Sequence, residues 1–505
     1  MTELTRPKTD DSTVDDRVSH VLDWLSRPSV RDTAHELAAL RAHLGELSAL
    51  PISVNQFHRI LELLHTRADS VWNAIAAQAS SADSGMPRDT RRLAHHVDAL
   101  ETQIYEGYMR VLNDVEHRLV RNRRRDPASV AGRALNALHH RLVIAAYLSK
   151  PAPPNLWQQA HRLFALARSE ALSDKTKPKL KHHVGRIYRE MLALTVVQPE
   201  RLSGAEVSAT ADYLTRFAPA VIIRDDAPAQ ADYRLFWVDL ASDMAPISVA
   251  RRLPDAGVDV VYFSCHRLGT LAAEQLRALE EGTAPQELLL PASAAQPAFR
   301  GLLHKLHESW TEPPTRHLLR RRQHYQVRMV VGLAAIACRL DNGCERADEA
   351  TLPAWRVYNQ SPSGYALVHE AGEIGGVVAG EIVAIRADSE KPWDVCVVRR
   401  VLSERYETLE IGLQVLASSA RQVRLAFRHS ANAAKALHTA LLLPALPTLR
   451  THDAIVVAAG VAGSQRFVIV ADGGNTHVTQ GRIISHDLHT ACIEMFQFQD
   501  DPYPL

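Results

Sequence analysis

The segment Arg320-Arg321-Arg322-Gln323-His324-Tyr325-Gln326-Val327-Arg328 forms, with Arg316, a knot of arginines that contains no acidic residue. Further along comes Asn359-Gln360-Ser361-Pro362-Ser363-Gly364. A guanidinium donates two parallel hydrogen bonds from one plane, which suits phosphate oxygens and guanine edges. The second segment reads as a polar turn. Its short side chains offer hydrogen-bonding groups, and its glycine lets a ligand approach the backbone. Together the two segments point to a site for an anionic guanine nucleotide on the β-patterned sequence around them.

Working outward, the sequence after the arginines is mostly strand-like. The apolar run 327–339 reads as one long strand. Further strands are expected at 364–369, 382–386, 395–402, 408–415, 423–427, 454–459, 466–470, 476–484 and 491–498, with turns at Gly463-Ser464 and Asp472-Gly473-Gly474-Asn475. Short strands this close together suggest one or two small barrels. A helix or lid is expected to interrupt them within 430–442. Towards the amino terminus, Pro313-Pro314 marks a linker, and 218–312 mixes strands (221–223, 235–238, 258–263) with helices (271–281, 298–310). From Asp15 to Phe217 the apolar spacing is helical, with Leu40, Leu44 and Leu47 in one segment and Ile60, Leu61, Leu63 and Leu64 in the next. Within it, 129–172 reads as a helix, a proline turn and a second helix, weakly similar to a tetratricopeptide hairpin. About six to nine helices of ordinary length fit there.

The expected fold class is therefore multidomain α+β. A disordered lead-in (1–14) precedes an all-α bundle or solenoid (15–217) and a mixed α/β segment (218–312). An arginine-rich linker (313–328) then leads to a β-barrel (329–420) and a β-rich extension or second barrel (421–505).

Residues 320 to about 416 resemble a PilZ domain, the small bacterial β-barrel that serves as a receptor for cyclic di-GMP. The family's pattern is RxxxR before the first strand, then (D/N)xSxxG in the barrel. Asn359, Ser361 and Gly364 match the second motif in full. The stretch from Trp393 to Arg400 and Ile411-Gly412-Leu413-Gln414 resemble the closing strands. In the register that abuts the strand, Arg322 takes the first arginine position and Gln326 replaces the second. Arg316 and Arg320 fit RxxxR by letter but lie further from the strand, and Arg320, Arg321 or Arg328 substitutes only by a shift in register. The resemblance implies that the arginines grip phosphates and the Hoogsteen edge of guanine. It implies that Asn359, Ser361 and Gly364 meet the other base and the ribose-phosphate ring. A bidentate arginine–guanine pair is worth about 1–3 kcal/mol of discrimination, so the loss of one arginine at Gln326 is expected to weaken binding about tenfold to a hundredfold.

Composition bounds the alternatives. The chain has 505 residues, 46% hydrophobic and 23% charged, with a net charge of +1, so anion binding must come from local clusters. Its five scattered cysteines make a disulfide framework unexpected and favour a reducing compartment. The amino terminus has no apolar signal core, and no apolar run is long enough to span a membrane. A cytoplasmic, bacterial-type protein is expected. Adjacent histidines (His95-His96, His139-His140, His182-His183) diverge by about 100° on a helix and do not chelate one metal, and no metal is expected. The basic run from Arg121 to Arg125 reads as a helix end that complements the dipole. Ser264-Cys265-His266 reads as an accidental neighbourhood, no nucleophile elbow or P-loop occurs, and no aromatic-basic stripe suits a nucleic acid polymer.

The expectation is a receptor without catalytic activity or cofactor. It binds cyclic di-GMP through Arg320, Arg321, Arg322, Gln326, Arg328, Asn359, Ser361 and Gly364, and relays the event through the helical domain to a protein partner in motility, adhesion or biofilm control. The alternative is a ligand-independent scaffold with a degenerate barrel.

Overall fold

The computed structural model describes residues 11–28, 32–80, 86–117, 127–173, 178–224, 226, 232–255, 259–312, 321–341, 349–387, 390–405, 408–427, 437–446, 450–472 and 476–501. Among the described residues eight α-helices lie in the first half: α1 (Asp11–Ser26), α2 (Thr33–Ala49), α3 (Val54–Ser80), α4 (Arg88–His117), α5 (Pro127–Tyr147), α6 (Leu156–Ser173), α7 (Pro178–Val196) and α8 (Gly204–Phe217). The helical spacing read from the sequence is largely the buried face: Leu40, Leu44 and Leu47 of α2 and Ile60, Leu61 and Leu64 of α3 are core residues, whereas Leu63 is 51% exposed, turned about 100° from each neighbour onto the solvent side. Helix α5 is apolar nearly all round because α4, α6 and α7 enclose it. Local chemistry fixes the starts. Asp32 accepts the Ala34 amide at 3.0 Å at the head of α2, and Ser203 and Glu206 form a capping box on α8. Residues 11–14 are helical, not lead-in, because Val14, Val18 and Val21 carry the apolar face of α1 onto the core.

Glu62 gathers the charges of α3 to α5. It accepts from the Tyr108 hydroxyl at 2.8 Å and pairs with Arg133 at 2.9 Å. Burial raises its pKa, but hydrogen bonds from His58 and Tyr108 and the charge of Arg133 outweigh burial and bring it down to about 2 from 4.5. A carboxyl depressed in the folded state stabilises above its unfolded pKa, and that stability fades as pH falls from 4.5 towards 2. Glu62→Gln is expected to lower the melting temperature at pH 7 and to flatten the acid side of the melting-temperature profile below pH 4.5.

The middle segment contains β1 (Ile222–Arg224), β2 (Phe236–Asp239), β3 (Ile247–Ser248), β4 (Val260–Ser264), α9 (His266–Glu280) and α10 (Pro297–Thr311). Its sheet has the order β1-β4-β2-β3. Phe236, Val238, Val261 and Phe263 enter the same core as the helices, and the Trp310 indole donates to the Ala193 carbonyl at 3.0 Å. The segment is thus continuous with the helical half. Asp243 ties the two together by accepting the amides of Asn155 (2.5 Å), Trp157 (3.0 Å) and Gln158 (3.2 Å) at the head of α6. Asp243→Ala is expected to cost about 1–2 kcal/mol, read as a lower denaturant midpoint, with Asp243→Asn recovering part of it.

Two closed antiparallel barrels follow. The first contains β5 (Arg321–Val331), α11 (Leu333–Leu340), β6 (Ala354–Ser361), β7 (Gly364–Ala371), β8 (Ile382–Arg386), β9 (Asp394–Arg405) and β10 (Thr408–Ala417). The second contains β11 (Arg421–Phe427), β12 (His438–Leu443), β13 (Ala454–Ala458), β14 (Arg466–Asp472), β15 (Thr476–His489) and β16 (Ile493–Asp500). Their rings run β5-β6-β7-β10-β9-β8 and β11-β12-β13-β16-β15-β14, the same order of connections twice. Val327, Trp355, Leu367 and Ile411 fill the first interior, and Phe427, Phe467, Phe496 and Phe498 the second. A third apolar cluster welds the outer walls together, with Ile382 and Val395 of the first barrel against Leu441 and Val456 of the second. Among the described residues no helix is long and apolar enough to cross a membrane.

Several expectations change. The run 327–339 is not one strand. β5 stops at Val331, Gly332 turns the chain at φ +90°, and α11 follows. A short apolar run does not distinguish strand from helix, and Ile336 and Ala337 are buried in the seam between the barrels. Residues 321–328 are strand rather than linker, since Tyr325 and Val327 face the barrel core. Asn359, Gln360 and Ser361 belong to the end of β6, leaving Pro362 and Ser363 as the turn. Cys265, Cys396 and Cys492 form no disulfide, but Cys338 is disulfide-bonded. Residues 438–443 are strand, whereas 428–436 lie outside the described residues. So do Arg316, Arg320, Pro313-Pro314, the basic run 121–125 and the turn 473–475.

Candidate ligand-binding site

The register of β5 against β6 places Arg321 opposite Gln360 and Arg322 opposite Asn359. Asn359 in turn stands opposite Ala366 on β7, Ala366 opposite Gly412 on β10, and Gly412 opposite Arg400 on β9. Directly paired residues share one face of a sheet. Here that face is the outer wall, because their neighbours Tyr325, Val357, Leu367, Ile411 and Val401 line the interior. The result is a lateral row with cations at both ends and the small residues Ala366 and Gly412 between them. Register shifts between Arg322 and Tyr325, between Val357 and Asn359 and between Gly412 and Leu413 are the bulges that re-aim these side chains.

Arg321 and Arg322 are exposed and make no hydrogen bond or ion pair with the described residues. Asn359 Oδ1 is buried without a hydrogen-bond partner. A buried polar atom left unpaired costs about 1–3 kcal/mol, so this end of the wall is primed for a donor. The Ser361 hydroxyl makes only long contacts, 3.4 Å to the Gly364 carbonyl and 3.5 Å to Ser363. Gly364 has a structural reason of its own: a Cβ there would lie 2.2 Å from the Leu413 carbonyl oxygen. Gln414, opposite Gly364, accepts from Arg399 Nε at 2.6 Å. Burial and the charge of Arg201 lower the Arg399 pKa from its ordinary value.

The barrel mouth itself is occupied. The Tyr325 hydroxyl donates to Gln360 at 3.1 Å, and the Tyr365 hydroxyl donates to Asp394 at 2.7 Å. A ligand is therefore offered the outer wall, not the lumen. Gln326 and Arg328 lie farther down β5. Gln326 donates to Glu370, which also holds Arg356, and Arg328 donates to the Leu352 carbonyl at 2.9 Å. At about 3.3 Å per residue, position 326 is about 13 Å along the strand from Arg322. Of the residues expected from the sequence, the fold thus groups Arg322, Asn359, Ser361 and Gly364 on the outer wall, whereas Arg321 pairs with Gln360, whose row through Tyr365 and Leu413 belongs to the opposite, interior face. Arg399, Arg400 and Gln414 join them without having been assigned a role. Their only signal was the closing-strand pattern, which locates strands but not the bulge that turns two consecutive arginines outward.

The barrel is also coupled to the helices. The Ser403 amide on β9 donates to the Ser149 carbonyl, between α5 and α6, at 2.7 Å. The short turn Pro199–Arg201 packs on β9.

A six-stranded barrel with a cationic first strand and an Asn-x-Ser-x-x-Gly hairpin defines a PilZ-type domain. Comparison with family models agrees: residues 340–421 match the middle PilZ domain of cyclic-di-GMP receptor FimW, and residues 19–229 match the N-terminal domain of the same receptor. The two matches together span more than half of the chain, which belongs to the cyclic-di-GMP receptor FimW family. The PilZ match includes Asn359, Ser361, Gly364, Arg399, Arg400 and Gln414 but begins after β5. Comparison with curated proteins finds no match.

Proposed function

We propose that this chain is a receptor without catalytic activity that binds cyclic di-GMP on the outer wall of its first barrel. Arg322 supplies the fork for phosphate and guanine, while Asn359, Ser361 and the backbone at Gly364 meet the rest of the dinucleotide. One observation carries the reading: Arg322 and Asn359 face each other across adjacent strands. It also favours binding over the scaffold alternative, since Gln326 lies too far along β5 for its amide to remove a cation from this row. The absence of chemistry is supported at the one thiol–imidazole neighbourhood singled out in the sequence. Cys265 is fully buried, and burial pushes its thiol up, far from a reactive thiolate.

Ligand seated at Ser361 and Gly364 would be felt through Gln414 and Arg399 at Arg201 and Ser149, and so in the helical half, which would present the surface for a protein partner. Titration calorimetry with cyclic di-GMP on the full chain tests the reading, with GMP as control. Saturable one-site heat for the cyclic dinucleotide is expected, together with slower hydrogen exchange at Ser403. No heat at high micromolar ligand would remove the receptor reading.

A further inference from the structure

The first two helices carry a group of donor side chains that the receptor reading leaves unused. His20 of α1 and His43 and Glu46 of α2 each bring one donor atom within 4.8 Å of the others. His43 is only 7% exposed, and its Nδ1 has no hydrogen-bond partner. Glu46 Oε2 is 3.7 Å from that nitrogen, beyond hydrogen-bond reach. The His20 and His43 rings are 5.4 Å apart. Trp24 packs on His43 at 4.6 Å, and the Arg67 guanidinium sits 3.8 Å over the Trp24 ring.

Spacing of three residues on a helix puts His43 and Glu46 on one face, and the packing of α1 across α2 adds His20. Two imidazoles and one carboxylate, with the remaining side open to solvent, are the ligand set of a three-coordinate zinc site completed by water. Metal–ligand bonds of about 2.0–2.1 Å place tetrahedral donors about 3.3 Å apart. His20 and Glu46 are exposed and close that gap by side-chain rotation alone. Magnesium, which prefers oxygen ligands and octahedral geometry, does not suit the set.

We propose that His20, His43 and Glu46 form a binding site for Zn2+ or a similar first-row divalent cation, which clasps α1 onto α2. Without it, the end of α1 is held by Arg67, which donates to the carbonyls of Trp24 and Arg27, and the rest of the helix by Val18 and Val21 in the core and the partly buried Val14, Trp24 and Leu25.

The test uses the full chain stripped of metal with a chelator, in wild-type, His20→Ala and His43→Ala forms. ZnCl2 is titrated by calorimetry and thermal unfolding is followed in parallel, with MgCl2 as control. The expected result is one saturable zinc site in the wild type that raises the melting temperature. Its affinity falls by about tenfold or more in His20→Ala, whose exposed position leaves the metal-free melting temperature unchanged. The other histidines of the chain give weak, unspecific binding, so the difference between variants decides. Equal zinc affinity and equal thermal shift in wild type and His20→Ala overturn the proposal, as does a wild type that zinc does not stabilise.

Discussion

Arg322→Ala is expected to weaken cyclic di-GMP binding about tenfold to a hundredfold while leaving the melting temperature unchanged. The loss follows from a bidentate contact worth about 1–3 kcal/mol, with charge-assisted hydrogen bonds to phosphate in the same range. The intact fold follows from exposure: Arg322 contributes neither a core contact nor an ion pair among the described residues. Arg322→Lys keeps the charge but loses the fork, so an intermediate affinity is expected. The informative companion is Gln326→Arg. Read from the sequence motif alone, this change restores a lost ligand contact and should tighten binding about tenfold or more. In the folded barrel, residue 326 stands opposite Arg356 and bonds to Glu370, well along the strand from Asn359. The expected gain is therefore less than about threefold, with some loss of stability from breaking the bond to Glu370. Calorimetry on the three variants separates the two registers, and an Arg322→Ala protein that binds as the wild type does would remove Arg322 from the site.

Gly364→Ala is expected to damage the first barrel, at about 2–4 kcal/mol of stability. A methyl group at this position falls on the Leu413 carbonyl oxygen, 2.2 Å from the ideal Cβ, where β7 and β10 pair. Relief requires β7 and β10 to part at this end, which loses ladder hydrogen bonds and shifts Gln414 away from the hairpin. Binding of the dinucleotide should fall with stability in this variant. Ser361→Ala, by contrast, should reduce affinity without moving the melting temperature, because its hydroxyl makes only long contacts. Thermal unfolding beside calorimetry distinguishes the two. A Gly364→Ala protein with the wild-type melting temperature would show that the ladder tolerates the methyl group and that the glycine serves ligand approach alone.

Much of this architecture can be read along the chain. Helical spacing at Leu40, Leu44 and Leu47 and at Ile60, Leu61 and Leu64 marks faces that are buried, because a period of 3.6 residues reports directly which side of a helix meets the core. The six-residue hairpin segment was legible because Asn, Ser and Gly at fixed offsets have few other uses. The boundary at Gly332 was not. Both 327–331 and 333–340 are apolar, and only the positive φ of Gly332 and the groove between two barrels make one a strand and the other a helix. The state of Cys338 was also missed, since five scattered cysteines carry no pairing signal.

The linear order of residues by itself determined the succession of helices and barrel strands, the family and the chemical character of a cationic, guanine-suited patch. These depend on local periodicity and on residue types at short spacing. Only the tertiary structure decided which arginine stands opposite Asn359, that this pair lies on the outer wall of the barrel, and that the second barrel repeats the first. It alone also brought His20 beside His43. Each of these depends on strand register or helix crossing, where neighbours in space are far apart in sequence. A slip of one residue turns a side chain to the opposite face, and no local pattern encodes it.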